Sequence, residues 1–490
     1  MLHKKIYRTL LLFLLLCLIS SQAIAAPTAQ ERLESNRAKT VDTNMLENWP
    51  TGPVVGSASA ILMELKTGTI LYSKNIHERH YPASTTKILT TLIAANRCRL
   101  DEVVTFSHDA VFNTPRDSNH IAMDVGDTLT MEQCLNAILI RSANEVSFAV
   151  AEHISGTSEE FALLMNEEAK KLGCVDSHFV NPNGLPDEEH YTSAYDLAKI
   201  GQAFFANDML CNMSITPRLI IPKEKEELIE NNKMELIPGG KRAYEFLTGI
   251  KTGYTDVARY TITAAAEKNG MTLICVLMED EYPALYEDAV ALFNYGFSNF
   301  DQVTIASLET KYNIDNQGLF YRDNDLFGSS SPILSLDKTS TLILPKTIDF
   351  KDVTSKLIYL EGDKDQVARV DYSYKDVPLG SASIQYARGS EKGYSFEEVK
   401  ETEEPKKKWN TSFIFINILT VLGVGLGIVV LAILVLFGYT FTKRYHFSFP
   451  GRERRAWKRK HRRARKAEVR NAKRHSRQNH KEHIKRRRRY

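Results

Sequence analysis

The segment Tyr81-Pro82-Ala83-Ser84-Thr85-Thr86-Lys87 carries the strongest information on fold and chemistry in this 490-residue chain. It opens a stretch of helical periodicity, in which apolar residues recur at Ile88, Leu89, Leu92 and Ile93. Ser84 and Lys87 are three residues apart and would share one helix face, so the lysine amine can reach the serine hydroxyl. Because a serine hydroxyl is a poor nucleophile until a base takes its proton, the pair indicates a nucleophile and its general base.

Two further motifs follow in the chain. Ser142-Ala143-Asn144 stands 58 residues after Ser84, and Lys251-Thr252-Gly253 stands 109 residues after Ser142. Each motif alone is weak, since Ser335-Leu336-Asp337-Lys338 and Lys66-Thr67-Gly68 repeat two of the patterns elsewhere. Only the complete set in the order S-x-x-K, S-x-N, K-T-G is typical of one class of serine enzymes.

The residue types in this set suit acyl transfer. Lys87 must be neutral to act as base, and burial together with a neighbouring cation at Lys251 would lower its pKa. Ser142 can relay a proton to a leaving amine, while Asn144 can orient Lys87 and a substrate amide. We therefore expect these four side chains to converge on Ser84.

An oxyanion site is also predicted at the start of this helix. The backbone N–H of Ser84 would supply one donor, and a second N–H is expected from the strand that carries Lys251, at Tyr254. Gly253 has no side chain, so a substrate backbone can lie close to that strand.

The chain resembles the low-molecular-mass penicillin-binding proteins, which are serine-type D-alanyl-D-alanine carboxypeptidases. The three motifs carry the resemblance, the third as Gly249-Ile250-Lys251-Thr252-Gly253-Tyr254-Thr255. Two other segments look like family segments, Asn181-Pro182-Asn183-Gly184-Leu185 and His190-Tyr191-Thr192-Ser193-Ala194-Tyr195-Asp196-Leu197-Ala198. The resemblance is strong from about Val54 to Phe300 and extends loosely over the residues that follow, 300–388.

The resemblance implies an α/β (α+β) fold of the β-lactamase/transpeptidase type, with an antiparallel sheet flanked by helices. It implies acylation of Ser84 by a peptidoglycan stem peptide ending in D-Ala-D-Ala, release of D-Ala, and hydrolysis, with Lys251 and Thr252 holding the terminal carboxylate. β-Lactam antibiotics would be covalent inhibitors, and no cofactor is implied. Two positions depart from the family pattern near the site: Glu145-Val146, where Asp-Ala is usual, and Arg259, where Gly is usual.

The pattern of predicted elements divides the chain. Residues 26–53 are polar and read as a linker, and residues 54–299 as the catalytic domain, with strands at both ends and helices between them. Residues 300–388 show short alternating stretches typical of a small all-β domain, and residues 389–411 a second linker. Because the strands come from both ends of the catalytic domain, its sheet must combine N- and C-terminal pieces.

The two ends of the sequence predict export and a membrane anchor. Residues 1–25 read as a signal peptide ending in Ala23-Ile24-Ala25. Residues 412–441 include 29 uncharged residues from Phe413 to Phe441 and read as a transmembrane helix. The tail, 442–490, holds 22 Lys and Arg against three acids, so it should be cytoplasmic, and it could contact anionic lipid headgroups. We therefore expect a single-pass cell-membrane protein whose catalytic domain is extracytoplasmic.

Several alternatives remain open at this stage. A DD-endopeptidase would use the same residues, and a β-lactamase would need a second base, for which no E-x-x-L-N segment is present between Asn144 and Lys251. From another class, a non-catalytic cell-wall-binding membrane scaffold need not keep a nucleophile beside an amine. The cysteines are read as core residues, His77 and His80 as surface histidines, and no spacing predicts a metal site.

Overall fold

The computed structural model describes residues 27–222, 227–312, 334–360 and 366–386, all within one compact unit. The predicted signal peptide, second linker, transmembrane helix and basic tail lie outside the described residues. Among the described residues, no helix combines the length and apolar character needed to cross a membrane.

The α-helices of the described residues lie between Ala29 and Leu308. They are α1 (Ala29–Arg37), α2 (Lys87–Arg97), α3 (His108–Phe112), α4 (Met131–Asn136), α5 (Asn144–Ser155), α6 (Ser158–Lys171), α7 (Ala194–Phe205), α8 (Asp208–Ile215), α9 (Ala284–Asn299) and α10 (Ile305–Leu308). Short 3₁₀ segments occur at Asp42–Met45, Ala83–Thr86 and Phe350–Asp352, and a π-helical turn at Ala137–Arg141.

The strands of the described residues fall into four sheets. They are β1 (Ser59–Glu64), β2 (Ile70–Lys74), β3 (Val103–Thr105), β4 (Thr128–Thr130), β5 (Arg218–Pro222), β6 (Glu227–Asn231), β7 (Leu247–Thr255), β8 (Arg259–Lys268), β9 (Met271–Asp280), β10 (Phe300–Thr304), β11 (Leu334–Leu336), β12 (Thr341–Pro345), β13 (Thr354–Tyr359), β14 (Gln366–Tyr374) and β15 (Val377–Tyr386).

The central sheet has the order β2-β1-β9-β8-β7, and every neighbouring pair is antiparallel. It joins two strands from before α2 with three from after α8, as the pattern of elements predicted. Both faces are buried, because successive residues of β9 alternate between two cores: Ile274, Val276 and Met278 pack with the helices of the middle segment, and Leu273, Cys275 and Leu277 pack with α9.

A second sheet follows α9, with the order β10-β12-β15-β14-β13 and β11 paired to β15. It shares its core with the outer face of the central sheet, since Leu342 and Val370 belong to the same cluster of buried side chains as Phe293 of α9. The mixed α/β architecture with antiparallel sheets that the resemblance implied is present.

The segment 26–53, predicted as a linker, contains ordered structure that packs on the central sheet. Helix α1 begins with a capping box, in which Thr28 and Glu31 exchange hydrogen bonds. The carbonyl oxygen of Asn36 accepts from Lys74 Nζ (2.8 Å), and Trp49 Nε1 donates to the carbonyl oxygen of Leu71 (2.9 Å). Only a few residues of this arm make such contacts, and most of its side chains are polar. For this reason its composition resembles that of a linker.

His80 is a second correction. His77 is exposed, as expected, but His80 is buried and its Nε2 lies 2.7 Å from Ser59 Oγ. The backbone of His80 pairs with Thr192, which draws the side chain inward.

Candidate active site

Ser84 lies in the 3₁₀ turn Ala83–Thr86, immediately before α2. Two hydroxyl groups fix this turn through one carbonyl: Thr85 Oγ1 and Thr261 Oγ1 donate to the carbonyl oxygen of Pro82 at 2.7 and 2.9 Å. Thr261 belongs to β8, so the turn is held to the central sheet. Ser84 itself remains only half-buried and is accessible from the adjoining cavity.

The Lys87 ammonium donates to three acceptors at the base of the site. They are Ser84 Oγ (3.0 Å), Asn144 Oδ1 (2.7 Å) and the carbonyl oxygen of Asn183 (2.6 Å). Lys87 is completely buried. The amine is therefore held beside the serine hydroxyl in a fixed direction, whichever of its protonation states is present.

The electrostatics of the site favour the neutral form of Lys87. Burial holds its pKa well below the usual range, and the nearby cation of Lys251 lowers it further, while the carboxylate of Glu145 opposes the shift. Burial also lowers the pKa of Lys251, to about 7. A neutral Lys87 can accept the proton of Ser84 without first losing one to solvent.

Lys251 and Ser142 border the same cavity as Ser84. Lys251 Nζ donates to Ser142 Oγ (3.1 Å) and to the carbonyl oxygen of Thr252 (2.8 Å). Ser142 follows the π-helical turn Ala137–Arg141 and has a left-handed backbone with φ of 60°. Such conformations in non-glycine residues are uncommon, and they cluster at functional sites where surrounding structure enforces them.

Asn144 is the first residue of α5, and its position depends on a second loop. Its backbone N–H donates to the carbonyl oxygen of Asn119 at 2.9 Å. Glu145, next to it, accepts from the N–H of Ile121 at 2.7 Å. Both bonds tie the start of α5 to the loop between α3 and β4, so Glu145 is a loop anchor in this structure.

Gly253 allows β7 to approach the serine turn. A Cβ at this position would lie 2.7 Å from the backbone nitrogen of Ser84 and 2.6 Å from Thr261 Oγ1, closer than real Cβ atoms come. The strand therefore runs directly beside the Ser84 N–H, where the predicted oxyanion site lies. The Tyr254 side chain is exposed at the rim.

These residues border one cavity of about 680 Å³ between the helical segment and the central sheet. The predicted site residues on its wall are Ser84, Ser142, Asn144, Lys251, Thr252, Gly253 and Tyr254. Lys87 lies buried beneath Ser84. All eight predicted positions thus meet in one place.

The segment Asn181–Leu185 resembles a family segment, but its residue types predict no role in the site. Its contribution is a backbone carbonyl at Asn183, which binds Lys87. Gly184 has φ of 81°, and a Cβ there would lie 1.8 Å from the carbonyl oxygen of Ala83, so only glycine lets this loop pack against the serine turn.

His190 connects the same loop to α2. Its Nδ1 accepts from the N–H of Val180 at 3.1 Å, so in the neutral ring Nε2–H donates to Thr86 Oγ1 at 2.9 Å. Burial lowers the pKa of His190 to about 3, which keeps the ring neutral at physiological pH. His190 therefore positions the residue preceding Lys87.

Arg259, the second departure from the family pattern, forms an ion pair beside the site. Its Nε and Nη2 donate to the two carboxylate oxygens of Glu281 at 3.0 and 2.9 Å. Its φ of 53° explains why glycine suits this position. The guanidinium of Arg259 is therefore paired with a carboxylate of the protein itself.

A serine beside a buried amine, a second buried lysine and a close-lying strand form an arrangement suited to acyl transfer through the serine. Residues 47–282 match the sequence profile of a family described as D-alanyl-D-alanine carboxypeptidase. Over these residues, just under half of the chain, the protein is similar to that family, as the motifs predicted.

The chain is also similar to individual relatives, and a solved structure shares its fold. D-alanyl-D-alanine carboxypeptidase DacF of Bacillus subtilis is 34% identical over 254 residues, which is 50% of this chain and 62% of that protein. DacD of Escherichia coli is 27% identical over 332 residues, covering 63% and 81% of the two chains. The chain thus spans less than two thirds of the length of DacF. Penicillin-binding protein 5 from Haemophilus influenzae has the same fold, with a TM-score of 0.55 and 24% identity over 69% of this chain and 98% of that one.

Proposed function

We propose that this protein is a penicillin-sensitive serine D-alanyl-D-alanine carboxypeptidase that removes the terminal D-Ala from peptidoglycan stem peptides. The observation that carries the proposal is the 3.0 Å contact between Ser84 Oγ and the buried amine of Lys87. The match of residues 47–282 to the D-alanyl-D-alanine carboxypeptidase profile supports the reaction, and the relatives carry the carboxypeptidase name.

In the acylation step, Ser84 Oγ attacks the carbonyl carbon of the bond between the two D-Ala residues. Neutral Lys87 takes the hydroxyl proton, and the Ser84 N–H stabilises the developing oxyanion, with the Tyr254 N–H as the proposed second donor. As the C–N bond breaks, the leaving amine must gain a proton. Ser142 would relay to it the proton that Lys87 has taken, which returns Lys87 to its neutral form before deacylation.

In the deacylation step, Lys87 again serves as the base, now for a water molecule. Water attacks the ester carbon, Lys87 takes one water proton, and the Ser84 oxygen leaves and is reprotonated. Lys251 and Thr252 would bind the carboxylate of the terminal D-Ala. A charged amine at Lys251 suits this role, because its described hydrogen bonds go to neutral oxygens only.

The test is to incubate the full chain, purified in detergent, with a peptide ending in D-Ala-D-Ala and to measure free D-Ala. A peptide ending in D-Ala-L-Ala controls for stereochemistry, and Ser84→Ala controls for contaminating enzymes. We expect D-Ala from the first peptide with the wild-type chain alone. Equal release by Ser84→Ala would refute the proposal.

Two alternatives in the same enzyme class have separate readouts. A DD-endopeptidase would cleave cross-linked dimeric muropeptides faster than the monomeric peptide, and a β-lactamase would turn penicillin over to penicilloate. A non-catalytic scaffold would bind cell-wall peptides without releasing D-Ala. Ser84 and Lys251 border one cavity, and Lys87 contacts Ser84 from beneath; this convergence favours catalysis over a scaffold.

We also propose that the chain is exported by residues 1–25 and anchored by residues 412–441, with the tail, 442–490, in the cytoplasm and near anionic lipids. The apolar run and the basic excess that follows it support this topology. Protease added to intact cells should then remove the catalytic domain and spare a C-terminal epitope tag. Loss of the tag from intact cells, with a cytoplasmic marker protein preserved, would contradict it.

A further inference from the structure

A second cluster of chemically competent side chains lies in the helical segment, outside the active site. Cys98, Glu102 and His153 each offer one ligand atom, and these three atoms lie within 4.8 Å of one another. Cys98 and Glu102 are half-buried and His153 is exposed, so the cluster is reachable from solvent. Thiolate, carboxylate and imidazole are the ligand types that bind zinc in proteins.

The fold brings these three residues together from distant parts of the chain. Cys98 directly follows α2, His153 lies in the last turn of α5, and Glu102 lies just before β3. The Glu102 carboxylate is oriented by the backbone, since its Oε1 accepts from the N–H of Arg99 at 2.8 Å. Its Oε2 then lies 3.0 Å from His153 Nε2. A carboxylate fixed in this way resembles the oriented ligands of metal sites.

The local electrostatics favour a cation at this position. The carboxyl-terminal ends of α2 and α5 both approach the cluster, and each carries a partial negative charge from its backbone carbonyls. The guanidinium groups of the two neighbouring arginines are held by other carboxylates: Arg97 by Glu168 at 3.0 Å, and Arg99 by Asp101 at 3.0 Å.

We propose that Cys98, Glu102 and His153 form a binding site for one divalent cation of the zinc type. On binding, the thiol of Cys98 releases its proton to solvent and the sulfur coordinates as thiolate, so thiolate and carboxylate together balance the two charges of the ion. Neutral His153 supplies the third ligand, and water completes a tetrahedral shell. Zinc and cobalt suit this mixed set better than magnesium or calcium, which prefer oxygen alone.

The bound ion would fasten α2 to α5 at the ends opposite the catalytic site. Lys87 begins α2 and Asn144 begins α5, and 11 residues of helix at 1.5 Å each separate Lys87 from Cys98 by roughly 16 Å. The ion is therefore too distant to contact the substrate. Its expected effect is stabilisation of the helical segment that supports the catalytic residues.

The spacing of the ligands explains why sequence patterns did not indicate this site. Glu102 is four residues after Cys98, but His153 is 51 residues after Glu102. No C-x-x-C or H-E-x-x-H pattern is formed, and only the packing of α5 beside α2 completes the set.

The test is titration of the full chain in detergent with Co²⁺, followed by optical absorption. We expect the near-ultraviolet band of thiolate-to-cobalt charge transfer, saturating at one ion per chain. Zn²⁺ should abolish the band by displacement and raise the melting temperature. The band reports sulfur coordination specifically, so histidine-bound cobalt elsewhere in the chain does not produce it.

Variants show whether the absorption band comes from this site or from cobalt bound to another thiol of the chain. Cys98→Ser should abolish the band, and His153→Gln should weaken cobalt binding by at least about tenfold. The control is His108→Gln, since His108 also lies beside a carboxylate, Asp109, at 3.3 Å but is not part of a three-ligand cluster with a thiol; it should leave the band intact. Absence of the band in the wild type, its persistence in Cys98→Ser, or equal loss in His108→Gln would overturn the proposal. Neither the absorption band nor the melting temperature depends on peptidase activity, so these results test the metal site independently of the proposed function.

Discussion

Exchanging each buried lysine for arginine separates the base from the carboxylate-binding cation. Lys87 and Lys251 are both almost fully buried, so the two substitutions force a similarly larger side chain into the site. Arginine keeps its proton at any accessible pH. Lys87→Arg therefore removes the base, whereas Lys251→Arg keeps a cation for the substrate carboxylate.

The structure gives the direction and size of the expected effects. Lys87 Nζ is the base candidate 3.0 Å from Ser84 Oγ, and general base catalysis contributes about 10² to 10⁴ in rate. We expect Lys87→Arg to slow acylation by at least that factor and Lys251→Arg to slow it less. The measurement is the rate of labelling by a fluorescent penicillin, with circular dichroism confirming that both variants fold.

The pH dependence supplies an independent signature. The wild-type rate constant kcat/KM should rise with pH through the lowered pKa of Lys87, because only the neutral amine accepts a proton. It should fall again as pH passes about 7, where Lys251 loses the charge that binds the carboxylate. In Lys251→Arg the alkaline decrease should disappear, since the guanidinium stays protonated.

Three results would refute this assignment of roles. Equal residual labelling rates in the two folded variants would remove the distinction between base and cation. An alkaline decrease that persists unchanged in Lys251→Arg would show that another group causes it. An acylation rate that is flat from acid to neutral pH in the wild type would exclude Lys87 as the titrating base.

Three further outcomes are expected. Penicillin should form a long-lived adduct on Ser84, detected by intact mass and peptide mapping, and an adduct on Ser335 would contradict the motif assignment. Gly253→Ala should slow acylation by about 10² to 10³, which is the cost of losing one oxyanion donor. The reason is that the added Cβ would displace the strand from the Ser84 nitrogen. An unchanged acylation rate in a folded variant would exclude this strand from the oxyanion site. Lys74→Met leaves three buried carbonyls without their donor and should lower the free energy of unfolding by about 3 kcal/mol, measured by urea denaturation against the exposed control Lys66→Met. Equal stability of the two lysine variants would contradict that estimate.

The side-chain motifs were the part of the site that sequence could predict. Ser84, Lys87 and Asn144 act through functional groups that few residue types carry, so their identity and spacing are informative. Asn183 acts through its backbone carbonyl, which every residue possesses, and its identity therefore conceals its contact with Lys87. The left-handed backbone at Ser142 is likewise a property of the chain path and is not encoded in the residue type.

In the fold, too, some elements could be predicted from the residue types and others could not. Strands of the central sheet and the long helices follow apolar periodicity, which sequence displays directly. The arm that contains α1 does not, because a few specific contacts attach it, such as Trp49 to the carbonyl oxygen of Leu71. The hairpin of β5 and β6 was also missed, since its outward residues Ile220 and Ile229 are apolar yet exposed.

Two buried lysines near one serine would be costly in a protein without a purpose for them, because burial disfavours both charges and each repels the other. The hydrogen bonds described for their amines go to hydroxyl, amide and carbonyl oxygens, which satisfy the donors without neutralising them. A substrate carboxylate at Lys251 would supply the missing negative charge. It would favour the proton on Lys251, and the repulsion from that charge would in turn keep Lys87 neutral. Binding of a peptide with a free carboxyl terminus would thus promote the protonation state that acylation requires, which is a physical reason for a carboxypeptidase to place these two amines together.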